Sequence, residues 1–189
     1  MQTRQQVAAA ARALFAEHGY VATTIAAIAA AADIPAPTIY SAFGGKKQIL
    51  DEIMLGWIAE ADTWRLHDAA LAELDPPARM RAIAHFTRRQ LELGLDILLV
   101  YQEAARVDPA MAIGWRETLA GRERMLAVLL DSFAGRLAPG VDMAEAMDRF
   151  VACTTPEIYR TLVAERGWSP EKFEQWLGDL LVHQLLEHR

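Results

Sequence analysis

The chain has 189 residues, 53% of them apolar, one cysteine and a formal net charge of −6. That length can bury a sizeable core, as one domain or as a small domain plus a larger one. The apolar residues are alanine-rich, without strict alternation or an Asn-Gly hairpin signal, which favours an all-α fold, expected to hold about nine helices.

A lone Cys153 excludes an intramolecular disulfide and fits a reducing cytoplasm. No apolar run approaches the length of a membrane span and no signal-peptide core is present, so no membrane partner and a cytoplasmic location are expected. The charge is uneven. Residues 1–50 hold Arg4, Arg12, Lys46 and Lys47 against Glu17 and Asp33, a balance of +2 that leaves −8 for the remainder. A mildly basic head on an acidic body suits a nucleic-acid contact confined to one end.

The first helix is expected over residues 3–18, with Val7, Ala10, Ala11, Leu14 and Phe15 inward and Gly19 as C-cap. Thr24 can cap a short second helix, because its hydroxyl accepts from the free N–H groups of the first turn. Ile25, Ile28, Ala29 and Ala32 then recur at i, i+3, i+4 and i+7, one apolar stripe. Asp33 tolerates the left-handed conformation needed to leave a helix sharply, and Ile34 can plug the corner. Pro35 and Pro37 open a third helix where missing N–H groups cost little. Within it Ile39 and Phe43 face inward, leaving Ala36, Pro37, Thr38, Tyr40, Ser41 and Ala42 outward. That is the plan of a helix-turn-helix, whose second helix enters a DNA major groove.

A fourth helix is expected over residues 46–68, its stripe being Ile49, Leu50, Ile53, Trp57, Ala61 and Trp64. Pro76-Pro77 starts a fifth, reaching residue 93, and Gly94 separates it from a very apolar sixth over residues 95–107. Asp108-Pro109 opens a seventh through Met111, Trp115, Leu119, Leu126, Leu129 and Phe133, ended by Ala138-Pro139-Gly140. Asp142 caps an eighth, interrupted near Thr154-Thr155-Pro156 and stopped by Gly167. Ser169-Pro170-Glu171 is a well-formed start for the last, whose Phe173, Trp176, Leu177, Leu180, Leu181 and Leu185 make an apolar stripe.

Several of these residues, at their offsets, carry a family resemblance. Ala10-Ala11-x-x-Leu14-Phe15-x-x-x-Gly19-Tyr20, then Thr24-x-x-x-Ile28-Ala29, Ala32-Asp33-Ile34, Thr38-Ile39-Tyr40-x-x-Phe43 and Lys46 together resemble the N-terminal DNA-binding domain of TetR/AcrR-type transcriptional regulators. The chain departs from that pattern at Asp33, where glycine is usual, at Pro35 in place of a capping serine, at Pro37 in place of a small residue, and at Ala42. The resemblance implies a helix-turn-helix domain over residues 1–46 and a helical ligand-binding and dimerisation domain over 47–189. It also implies a homodimer on a palindromic double-stranded DNA operator and an unknown small effector, which the aromatic content of the body leads us to expect to be mostly apolar.

The expected DNA-facing set is Thr24, Ala36, Pro37, Thr38, Tyr40, Ser41 and Lys46. Tyr40 is the phosphate contact the resemblance implies; the alternative is a tyrosine serving only the small core. Ala36 and Pro37 offer only apolar contact, for instance to thymine methyls, and the helix holds no Arg, Asn or Gln for bidentate reading, so methyl contacts and DNA shape carry the expected specificity. Lys46 would face a phosphate together with the free N–H groups of the fourth helix. With two to four phosphates per subunit, a dimer's log–log salt slope would be about −4 to −7.

For the ligand cavity the candidates are Trp57, Trp64, Phe86, Tyr101, Met111, Trp115 and Tyr159, with His85, Glu103 and Arg106 as polar groups to orient a ligand. The alternative is that these aromatics fill the core. For the dimer interface they are Phe173, Trp176, Leu177, Leu180 and Leu181, the alternative being burial within one subunit. No HExxH or metal-spaced pair, Gly-rich phosphate loop or nucleophile elbow occurs, so no catalytic residue, metal or cofactor is expected. The other function class consistent with the sequence is a helical small-molecule-binding protein with a vestigial DNA-binding head.

Overall fold

The computed structural model describes residues 2–133 and 135–186. Among them only helices and turns occur, apart from one isolated backbone pairing of Leu137 with Leu186. Helix α1 (Gln2–Ala22) is kinked at Gly19, where φ is +79° and ψ 171°. That backbone region is open to glycine and strained for other residues. Helix α2 (Ile25–Ala32) begins at Thr24, whose hydroxyl accepts from the Ala27 N–H at 3.1 Å. It ends at Asp33 in the left-handed conformation, φ 51° and ψ 45°. Helix α3 (Ala36–Phe43) follows at 108° to α2, within the range of a helix-turn-helix corner. Val7, Ala11 and Phe15 of α1 are buried, as are Ile28 of α2 and Ile39 and Phe43 of α3.

Beyond the head two expectations need correction. The fourth helix does not run to residue 68: α4 (Lys46–Glu60) stops, and α5 (Thr63–Ala72) starts after Asp62, itself left-handed at φ 55°. The Asp62 carboxylate pairs with Arg65 one turn into the new helix. The break takes Trp64 off the expected stripe, so Trp57 is 6% exposed and Trp64 64%. Gly94, by contrast, does not separate two helices. Helix α6 (Pro76–Val107) passes through it as one 32-residue rod. A mid-helix glycine costs about 1 kcal/mol, which the buried Leu91, Ile97 and Leu98 on either side outweigh.

Helix α7 (Pro109–Asp131) and helix α8 (Met143–Cys153) follow. Helix α9 (Pro156–Tyr159) widens into a π-turn over Arg160–Glu165, and α10 (Pro170–Leu185) closes the described chain. The Ser169 hydroxyl caps α10 by accepting from the Lys172 N–H at 3.1 Å. No single helix among the described residues is long and apolar enough to cross a membrane.

The chain forms two compact units. One gathers residues up to Ala59 with Asp96–Thr118; the other gathers Glu60–Leu95 with residues from Leu119 onward. The second has its own core, including Met80, Ile83, Phe86, Leu129, Phe133, Phe150, Phe173 and Leu181. Within it α10 lies close on α6, since a Cβ added at Gly178 would stand 3.2 Å from Arg81 Cγ.

Candidate nucleic-acid interface

The site begins with how α3 is held. Ile39 and Phe43 are buried one turn apart and fix the helix to the head, so the opposite side stays free. Pro37, Thr38, Tyr40 and Ser41 are exposed, Tyr40 by 55%, and Ala36 is half-buried. Thr24 is exposed as well. Its oxygen is spent on the cap, but its O–H can still donate outward.

The cations of the head are committed elsewhere. Lys46, expected to face a phosphate, is held within the head. Its ammonium donates to the carbonyls of Tyr20 at 2.7 Å and Thr23 at 2.8 Å, and stands 4.4 Å from the centre of the Tyr20 ring. Burial pushes its pKa below the usual lysine value, against the raising pull of Glu103 and Asp108. The physical reason is local: Tyr20 lies in the last turn of α1 and Thr23 in the turn before α2, where carbonyls run out of helical partners, and a lysine within reach satisfies both. Arg4 donates to the Ala42 carbonyl at 2.6 Å and to Glu52 at 2.5 Å, its guanidinium lying 4.4 Å from the centre of the Phe43 ring. Arg12 meets Asp96 at 2.8 and 2.9 Å, and Lys47 meets Asp51 at 2.6 Å.

Residues 96–118 belong to the same unit as the head and hold it at two further points. Glu103 accepts from the N–H groups of Tyr20 at 3.1 Å and Val21 at 3.3 Å, so it anchors backbone and is not free to orient a ligand. A Cβ at Gly19 would stand 2.7 Å from Glu103 Oε2 and push that carboxylate aside, and the φ of +79° there favours glycine in any case. The Tyr101 hydroxyl donates to Asp51 at 3.1 Å, and burial together with that carboxylate raises its pKa. Sequence reasoning missed this bracing, because Tyr20 and Glu103 are 83 residues apart.

The seven expected cavity residues divide between the units. Trp57, Tyr101, Met111 and Trp115 fall in one; Trp64, Phe86 and Tyr159 fall in the other. In the first, Trp57, Tyr101 and Met111 are buried, and Tyr101 meets Trp115 with ring centres 5.5 Å apart. In the second, Phe86 is buried in the core, Tyr159 meets Phe173 edge-on at 4.8 Å, and Trp64 is too exposed to wall a cavity. A cavity of about 10 Å³, room for one water, is lined by Arg12, Phe15, Leu50, Ile53, Asp96, Ile97 and Val100, none of them an expected wall residue. His85 pairs with Glu174 at 3.1 Å, and Arg106 is exposed.

The expected dimer residues also separate. Phe173, Leu177 and Leu181 are at most 1% exposed within the chain, so they have no surface left for a second subunit; the reason is that one side of α10 faces its own unit's core. Trp176 and Leu180 are half-exposed on the other side.

Residues 7–53 match the family described as bacterial regulatory proteins, tetR family. No curated protein matches the chain. Solved structures share its fold over nearly their whole length. The fatty acid degradation regulator FadR from Bacillus halodurans aligns with a TM-score of 0.76 at 19% identity, over 94% of this chain and 97% of that one. A transcriptional regulator from Saccharomonospora viridis in complex with choline aligns with a TM-score of 0.76 at 20% identity, over 99% of both. NalD, the secondary repressor of the MexAB-OprM multidrug efflux pump in Pseudomonas aeruginosa, aligns with a TM-score of 0.72 at 19% identity, over 98% of this chain and 97% of that one. At these identities the likeness is one of fold.

Proposed function

We propose that this chain, with its TetR-type helix-turn-helix head and the all-helical fold of TetR-type regulators, is a ligand-responsive repressor that binds a palindromic operator as a homodimer in the cytoplasm, with no catalytic role. The observation that carries the reading is α3 itself: anchored by Ile39 and Phe43, set at 108° to α2, and exposed along Pro37, Thr38, Tyr40 and Ser41. One such helix reads a half-site, so a two-fold dimer is needed for a full operator. The half-exposed apolar residues Met147 and Val151 of α8 and Trp176 and Leu180 of α10 are the surface it would bury.

Repression is a two-state equilibrium. The effector binds one arrangement of the body more tightly and lowers operator affinity by that difference. Trp57, Tyr101, Met111 and Trp115, gathered in one unit, would wall the effector site, and a small, mostly apolar effector suits them. That a regulator of this fold holds choline, and that another represses an efflux pump, supports a small-molecule effector and repression here. Tyr101 is placed to pass on a change, because its hydroxyl holds Asp51 of α4.

A helical small-molecule-binding protein with a vestigial head is the second reading, favoured by the commitment of Arg4, Arg12, Lys46 and Lys47 to partners within the head's own unit. Gel shift with the chain's own upstream DNA separates the two. The regulator gives specific, salt-sensitive retardation that Tyr40→Ala weakens while folding and dimerisation persist. Retardation no better than with scrambled DNA favours the second reading.

A further inference from the structure

The exposed side of α3 is chemically spare for a surface that meets duplex DNA. Guanine is read in the major groove by Arg or Lys against two acceptors, and adenine by the amide of Asn or Gln. No residue of α3 is any of these. The neighbouring amide, Gln48, belongs to α4 and lies over the turn, its carboxamide carbon 3.8 Å from where a Gly44 Cβ would stand. Nor do the cations of the head supply the missing reach. Lys46 is bound to two backbone carbonyls, and Arg4 sits on the carbonyl end of α3 itself and on Glu52.

What α3 does present is a proline ring, the methyl groups of Ala36 and Thr38, and three hydroxyls on Thr38, Tyr40 and Ser41. Hydroxyls donate equally well to phosphates and to several base edges, so they position more than they discriminate. Apolar contact does discriminate, because thymine alone carries a methyl group in the major groove. Resting on the DNA-binding reading above, we propose that α3 recognises its half-site through thymine C5-methyl groups packed against Ala36, Pro37 and the Thr38 methyl. The partner is therefore a duplex whose half-sites are A·T-rich beneath α3 and need no guanine there. Discrimination comes from apolar burial, and the hydroxyls fix the helix to the backbone.

The test uses the full-length protein. Duplexes are selected from a random-sequence pool, and the winning duplex is rebuilt with deoxyuridine replacing thymidine, which removes the C5-methyl and leaves the pairing edges unchanged. Each lost methyl contact should weaken binding about fourfold, so one contact per half-site gives about 16-fold for the dimer. Thr38→Ser, which keeps the hydroxyl and removes the methyl, should bind the thymidine duplex more weakly and shrink its preference over the deoxyuridine duplex below the wild type's. Equal affinity for the two duplexes, or winning half-sites that require guanine beneath α3, would overturn the methyl reading and leave the regulator standing. Failure to enrich any sequence would overturn both.

Discussion

Replacing Lys46 with methionine distinguishes the two roles open to that residue. The methionine keeps an unbranched stem against the Tyr20 ring and removes only the ammonium. Two charge-assisted hydrogen bonds, at 2.7 and 2.8 Å to the carbonyls of Tyr20 and Thr23, are lost. In a half-exposed site each contributes about 1 kcal/mol net of water, and the contact with the Tyr20 ring adds about 0.5 kcal/mol. The expected loss is therefore about 2–3 kcal/mol. For a chain of this size that corresponds to a fall in Tm of roughly 4–12 °C by calorimetry. Operator affinity, measured by fluorescence anisotropy below the transition, should fall only as far as the head loosens. A Lys46→Met protein as stable as the wild type but unable to bind DNA would refute the reasoning and return Lys46 to the phosphates.

The remaining expectations concern other parts of the molecule. Gly19→Ala should cost about 3 kcal/mol or more in urea unfolding, combining backbone strain at φ +79° with displacement of the Glu103 carboxylate from 2.7 Å; a loss under about 1 kcal/mol would contradict the bracing described above. Trp176→Asp should give a folded monomer by sedimentation, and an undisturbed dimer would move the interface off α10. With Arg4, Arg12, Lys46 and Lys47 all paired within the head's own unit, at most about one or two phosphates per subunit are neutralised, so the log–log salt slope should be no steeper than about −4; a steeper slope would show unrecognised basic contacts. Burial lifts the Tyr159 phenol to about 12. Above pH 10 the unfolded chain releases a proton the folded one retains, so stability falls as pH rises from about 10 to about 12. Tyr159→Phe should flatten that part of the alkaline unfolding curve, and superimposable curves would count against the shift.

The head was legible because its signals are local. The Thr24 cap, the left-handed Asp33, the two prolines and the pair Ile39 and Phe43 each act within a turn of themselves, and each occupies its expected place. The break at Asp62 left no such mark, since the apolar steps from Trp57 through Ala61 to Trp64 continue at helical spacing with no glycine or proline between them. Gly94 misled in the other direction. Its penalty is real but small beside the burial that its neighbours gain from a continuous helix. The commitment of Lys46 and Glu103 depends on which backbone groups are free at the end of α1 and on what the fold brings to them from 26 and 83 residues away. Periodicity carries no information on either. The same limit applies to α10, where one stripe divided into a buried side, Phe173, Leu177 and Leu181, and a half-exposed side, Trp176 and Leu180.

The most direct test of the central claim is a hydroxyl-radical footprint of the full-length protein on its selected duplex. An α3 seated in each of two major grooves predicts two protected backbone patches on one face of the DNA, about 34 Å apart, that fade together in Tyr40→Ala. A folded dimer that leaves the duplex uniformly cleaved, or whose protection is untouched by Tyr40→Ala, would contradict it.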